Sequence, residues 1–253
     1  MTNQDHPDLR SFGRRRGRKI SPRQDALQRD FLPRVIVDLQ APTPSRLDAL
    51  FHAPVGIGQL KAQEAHAPVA GGQLKAREVW LEIGFGGGEH LVWQAEHNPD
   101  VSLIGCEPFE EGVVKVLTQV DERGLRNIRL HPDDARPLLR WLPPASIARA
   151  FILFPDPWPK RKHQKRRLIN EVLLAELARV MKAGAELRIG TDIADCARTI
   201  LMAFQQTGAF TWSARGPDDW RVRPADWPQT RYEAKALREG RRSVYLSFIR
   251  TTV

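Results

Sequence analysis

From residue 78 onward the chain alternates two hydrophobic rhythms. Short runs dense in Val, Ile, Leu and Phe are separated by longer stretches in which apolar positions recur at helical spacing. The runs predict strands over 79–83, 102–106, 127–130, 149–154 and 186–190, with two late strands over 210–214 and 244–250. The helical spacing predicts helices over 89–97, 110–123, 167–181 and 194–207. In the third of these, Leu168, Val172, Leu173, Leu177 and Val180 share one face, and Gly184 follows as the stop signal. Strands that alternate with helices imply an α/β domain: a doubly wound, mostly parallel sheet of seven strands with helices on both faces.

Upstream the rhythm is missing. Residues 1–34 hold nine Lys/Arg against four Asp, and 10–19 (RSFGRRRGRK) have no apolar periodicity. A basic, flexible N-terminal arm is expected there. A lead-in follows over 35–77. Within it HAPVGIGQLKAQEA (52–65) is nearly repeated as HAPVAGGQLKAREV (66–79), with ten of fourteen positions identical. Two copies are too few for a solenoid. A tandem duplication in a surface loop is the simpler reading, and the first copy is expected to be dispensable. The folded domain is then expected over 78–253.

Composition narrows the class. A net charge of +9 favours an anionic partner, with nucleic acid first. Two cysteines, Cys106 and Cys196, with no CxxC argue against a disulfide framework or a cysteine zinc site, and no histidine spacing suggests a metal. No apolar run reaches the roughly 20 residues of a membrane helix, and MTNQDHPDLR has no stretch of signal-peptide type. A cytoplasmic protein is expected, without a membrane and without an obligatory protein partner, as monomer or homodimer.

The chemistry starts at LEIGFGGGEH, which reads Glu82-x-Gly84-x-Gly86-x-Gly88 between a predicted strand and a predicted helix. Glycines there let the backbone turn and approach a ligand closely. Glu107 in GCEPF ends the next strand, where a carboxylate can accept both ribose hydroxyls of a nucleoside. A dinucleotide fingerprint would read GxGxxG. Here the spacing is GxGxG, and an acid two residues before the first glycine suits an ammonium group better than a pyrophosphate. Asp134 in HPDDAR follows the third strand, where it could accept from an adenine amine. Three acids at three successive strand ends resemble the class I S-adenosylmethionine methyltransferases, with a Rossmann-like sheet. A nicotinamide-dependent oxidoreductase is the alternative.

The fourth strand runs into FPDPWPKRKHQKRR (154–167). In an open α/β sheet the ligand crevice lies outside the carboxyl ends of the strands, so Asp156 falls beside the reacting atoms on a loop stiffened by prolines. The basic residues that follow suit phosphate contacts. This stretch, with LEIGFGGGEH, IGTD (189–192) and TRYE (230–233), resembles the tRNA (guanine-N7)-methyltransferases of the bacterial single-subunit type. The resemblance covers 10–18 and most of 78–253. It implies S-adenosylmethionine as methyl donor and the variable-loop guanine of tRNA as acceptor. Glu82, Gly84, Gly86, Glu107, Asp134 and Asp156 then match cofactor-binding positions, and Asp156 also the catalytic one. Lys160, Asp192, Thr230, Arg231, Tyr232 and Glu233 match substrate-binding positions. Arg161, Lys162, Lys165, Arg166 and Arg167 are expected on RNA phosphates. Asp192 and Glu233 are the natural acceptors for the guanine N1–H and N2–H₂ donors, and Asp192 could also cap the helix after it. Trp158 could stack on a flipped base or pack against the sheet. A noncatalytic RNA-binding protein on this fold is disfavoured by the complete set of cofactor acids.

Overall fold

A computed structural model describes residues 15–17, 19–51 and 77–252. Most of the duplicated segment, and Arg10, Arg14 and Arg18 of the basic stretch, lie outside the described residues.

The described part of 1–34 departs from the expectation of a flexible arm from residue 22 onward. Helix α1 (Pro22–Ala26) opens on a capping box: Ser21 Oγ accepts from the Gln24 amide at 3.3 Å, and Gln24 Oε1 accepts from the Ser21 amide at 3.0 Å. It passes through a π-helical turn (Leu27–Phe31) into α2 (Leu32–Val35). Phe31 and Val35 are buried in the core, and the Val37 amide donates to the Leu130 carbonyl at 2.9 Å. Two apolar side chains at helical spacing were too weak a periodic signal against so much surrounding charge.

The catalytic-scale framework is one seven-stranded sheet. Its elements in chain order are β1 (Val79–Ile83), α3 (Glu89–His97), β2 (Ser102–Cys106), α4 (Glu110–Arg123), β3 (Ile128–His131), α5 (Ala135–Trp141), β4 (Ile147–Leu153), α6 (Glu171–Val180), β5 (Met181–Thr191), α7 (Ala194–Thr207), β6 (Phe210–Trp212), α8 (Asp218–Arg221), α9 (Arg231–Arg238) and β7 (Val244–Arg250). The strand order is β3-β2-β1-β4-β5-β7-β6, with β7 antiparallel to both neighbours and the other pairings parallel. The order reverses between β1 and β4, which opens the ligand crevice above their carboxyl ends.

Both faces of the sheet are covered, so β1 and β2 are buried at every position. Leu81 and Ile152 face a core shared with Leu138 of α5, Leu177 of α6 and Ile200 of α7. Trp80, Leu103 and Phe151 face the opposite core, with Leu91 of α3 and Leu117 of α4. Among the described residues no helix is long and apolar enough to cross a membrane.

Several predicted boundaries shift: β3 is Ile128–His131 and not 127–130, β4 Ile147–Leu153 and not 149–154, β5 Met181–Thr191 and not 186–190, and β6 Phe210–Trp212 and not 210–214. The helix predicted over 167–181 is Glu171–Val180, because Asn170 Oδ1 accepts from the Leu173 amide at 3.0 Å and starts it there. Gly184 does not stop that helix. It lies inside β5 with φ +77°, where the register skips from Ile147↔Met181 to Arg149↔Glu186 and the extra residues bulge outward. Helix α5 escaped prediction because Pro137 interrupts its pattern, yet proline is tolerated in a first turn, where the amide has no helical partner anyway.

Candidate active site

The glycine loop is built for close approach. Gly84 has φ +77°, and a Cβ added there would meet nothing within 4 Å, so the backbone faces open space above β1. Gly86 is pinned from the next strand: Glu107 Oε2 accepts from its amide at 2.8 Å, and Oε1 accepts from the Phe109 amide at 2.9 Å. A carboxylate has about four acceptor sites, so Glu107 retains capacity for a diol. Burial pushes the Glu107 carboxyl up. The two amides pull it back, and the charge of Asp156 pushes it up again. Glu107 follows β2 and Asp156 follows β4, so both stand at the carboxyl ends of the sheet, where the crevice opens.

Asp156 sits on a loop bent by unusual backbone. Phe154 and Trp158 hold φ +50° and +41°, left-handed values that side chains beyond glycine rarely adopt. Desolvation by the surrounding protein raises the Asp156 carboxyl, although the side chain still reaches solvent at the crevice mouth.

Glu82 spends one of its two carboxylate oxygens inside the fold. It is buried, and its Oε2 lies 2.8 Å from Nδ1 of His90, itself 1% exposed. Nε2 of His90 is 3.1 Å from the Gln94 amide nitrogen, which also donates to the Asp226 carbonyl at 2.7 Å. Gln94 Oε1 in turn accepts from Asn98 at 3.0 Å. With Nδ1 donating to Glu82 and Nε2 accepting from Gln94, every member finds a partner. His90 was invisible in the sequence as anything but a helix residue. Replacing it by Phe strips a buried carboxylate of its donor and should cost about 1–3 kcal/mol of stability. Urea unfolding within experimental error of the parent would contradict that role.

Asp134 caps α5. Its Oδ1 accepts from the Arg136 amide at 2.9 Å and from Arg136 Nε at 2.7 Å, while Oδ2 pairs with the other guanidinium arm at 2.6 Å. Burial alone would raise this carboxyl, but Arg136 holds it below the usual range. In this arrangement its acceptor capacity is largely spent on the chain itself. Arg15 pairs with the neighbouring Asp133, and the Arg15 carbonyl accepts from the Glu110 amide at 3.0 Å, so Arg15 itself lies at the β2 and β3 ends.

The expected substrate residues divide. TRYE opens a helix: Thr230 caps α9, with its Oγ1 accepting from the Glu233 amide at 3.3 Å. The T-x-x-E spacing is a helix-start signature that reads directly from sequence. Arg231 and Tyr232 lie over the glycine loop. A Cβ on Gly86 would come within 3.1 Å of the Tyr232 ring, and one on Gly87 within 2.9 Å of the Arg231 guanidinium carbon. Glu233 turns inward. It is 3% exposed, its Oε1 accepts from Tyr245 Oη at 2.6 Å, and Oε2 has no hydrogen-bond partner among the described residues. Asp192 does not cap α7, whose N-cap is Ile193; its carboxylate pairs with Arg241 Nε at 2.6 Å. Both acids expected at the guanine edge are thus engaged within the chain.

The basic run forms a 3-10 turn, Arg161–Arg166, well before α6, so its charges do not oppose the α6 dipole. Arg161, Lys162 and Lys165 are exposed, as is Lys160, and none of the four has a carboxylate partner among the described residues. Trp158 is engaged by neighbours: His163 meets it edge-on at 5.9 Å, and the Arg166 guanidinium lies 5.0 Å over its ring. Arg167 departs from the phosphate expectation. It is 7% exposed and faces inward.

Comparison with known proteins supplies a name for this arrangement. Residues 76–246 match the model of a family described as "Putative methyltransferase". A tRNA (guanine-N(7)-)-methyltransferase of Rhodospirillum rubrum is 44% identical over 251 residues, covering 99% of this chain and 91% of the relative. Proteins of the same name from Mesorhizobium japonicum and Agrobacterium fabrum are each 44% identical, over 99% and 94% of this chain and 100% and 94% of theirs. Identity at that level along nearly the whole of both chains leaves one assignment: the protein belongs to the tRNA (guanine-N7)-methyltransferase family.

Proposed function

We propose that the chain transfers a methyl group from S-adenosylmethionine to N7 of the variable-loop guanine in tRNA. The observation that carries this reading is the placement of two carboxylates at strand ends around the point where the strand order reverses: Glu107, which accepts from the Gly86 amide of the glycine loop, and Asp156, on the bent loop after β4.

The residues fit that cofactor. Gly84 leaves room for it, Glu107 retains acceptor capacity for a ribose diol, and Tyr232 and Arg231 form a wall over the glycine loop. When bound, the cofactor supplies an electrophilic methyl group on a sulfonium centre. The chain's own residues do the rest. Guanine N7 carries a lone pair and no proton, so no general base is required. Methylation leaves positive charge on the purine, and Asp156 provides a fixed negative charge for it. Lys160, Arg161, Lys162 and Lys165 offer exposed cations that can hold phosphates and bring the base to the crevice.

A transcript carrying 7-deazaguanine in the variable loop tests the acceptor atom. It keeps the base edge and loses only the N7 lone pair. We expect it to bind like the parent transcript and accept no methyl group; methyl transfer to it would overturn the assignment to N7.

A further inference from the structure

The residue that the basic run appeared to offer as its last phosphate contact is tied instead to the loop that carries Asp156. Arg167 Nε donates to the Pro157 carbonyl at 2.9 Å. One arm of the guanidinium donates to Thr199 Oγ1 at 2.5 Å, and the other pairs with the Asp195 carboxylate. Asp195 and Thr199 stand one turn apart on α7, and Gln164 Nε2 reaches Asp195 as well, at 3.3 Å. The same Pro157 carbonyl accepts from Cys196 Sγ at 3.3 Å. Behind the loop, Pro155, Asp156, Arg167, Ile169, Cys196 and Ile200 line a small recess.

We propose that Arg167 is a positioning residue for Asp156, a strut that braces the 154–158 loop against α7, and that it is not an RNA contact. This rests on the proposed methyl transfer. The loop needs a brace because two of its residues sit in left-handed backbone and its prolines remove the amides that could have anchored it. A carbonyl one residue from Asp156, fixed by a buried fork, sets where the carboxylate points. Only a guanidinium suits the task, since its Nε and two arms meet three separate acceptors and a lysine ammonium cannot reach all three.

The Arg167→Lys variant separates the two roles, because it keeps the charge and loses the fork. We expect kcat to fall about ten- to a hundredfold, with tRNA affinity and its salt dependence unchanged. Arg167→Met should show the same kcat loss, again with an unchanged salt slope. A phosphate role gives the opposite pattern: the lysine variant behaves as the parent, and the methionine variant loses about one from the slope of log affinity against log salt. That outcome overturns the proposal, as does a kcat unchanged in both. Should either variant fold poorly, Thr199→Val loosens one arm and is expected to lower kcat less, still without effect on the salt slope; no change in kcat counts against the strut. If the parent protein transfers no methyl group to tRNA, the functional reading fails, and the strut is judged by hydrogen exchange. Faster exchange at the Phe154, Asp156 and Trp158 amides in Arg167→Lys supports it, and unchanged exchange at all three overturns it.

Discussion

Replacing Asp156 by Asn should lower kcat by about two to three orders of magnitude while the protein stays folded. The side chain is exposed and makes no hydrogen bond or ion pair with the described residues, so the expected loss is electrostatic. The amide keeps the size and polarity and removes the charge that meets the purine cation, an effect of the size seen when one preorganised group is removed from a charged transition state, about 2.7–4 kcal/mol. The pH profile gives an independent check. Desolvation raises the Asp156 carboxyl, and its neighbour Glu107 is raised as well. The active form is ionised, so activity in the parent should fall as pH drops through a point above the ordinary aspartate range near 3.9. The Asn variant should lose that contribution to the acid limb. Turnover near that of the parent would contradict a catalytic role for Asp156.

The second large effect is expected at a residue remote from the reacting atoms. Gly112 on α4 packs against the glycine loop so closely that an added Cβ would lie 2.2 Å from the Gly86 carbonyl oxygen and 3.2 Å from Glu107 Cγ. Two terms compete in Gly112→Ala. Helix propensity favours alanine by about 1 kcal/mol. The clash is with backbone, which no rotamer change can relieve, and overpacking typically costs about 1–3 kcal/mol. The clash wins, and relief comes by moving the Gly86 peptide, which displaces the amide that Glu107 accepts from. Cofactor affinity should therefore fall at least about tenfold, equivalent to 1.4 kcal/mol. Gly124→Ala is the control. It strains a left-handed C-cap of the same helix, with nothing within 4 Å, and should cost stability without weakening cofactor binding. Calorimetric titration distinguishes the two, and equal cofactor affinity in both variants would contradict this account.

The sheet was legible because burial on both faces writes itself as uninterrupted apolar runs. Strands β1, β2 and β7 and helices α3, α4 and α7 lie where the pattern placed them. The glycine loop and Glu107 were legible because backbone turns and strand-end acids are local features. What escaped was pairing at long range. Asp192 and Arg241 are 49 residues apart, and Arg167 meets Asp195 across 28. No periodicity announces such partners, so the sequence could not show that Asp192 pairs with Arg241 or that Arg167 pairs with Asp195. Helix α9 is a different case. Its only buried residues are Glu233 and Ala236, so it lacks an apolar stripe, yet its T-x-x-E start was in plain view.

The central claim is tested most directly by incubating the protein with unmodified tRNA and methyl-labelled S-adenosylmethionine, then digesting the RNA to nucleosides. The account predicts label in 7-methylguanosine alone, traced to the variable loop. Label in any other nucleoside, or none in the RNA, would contradict it.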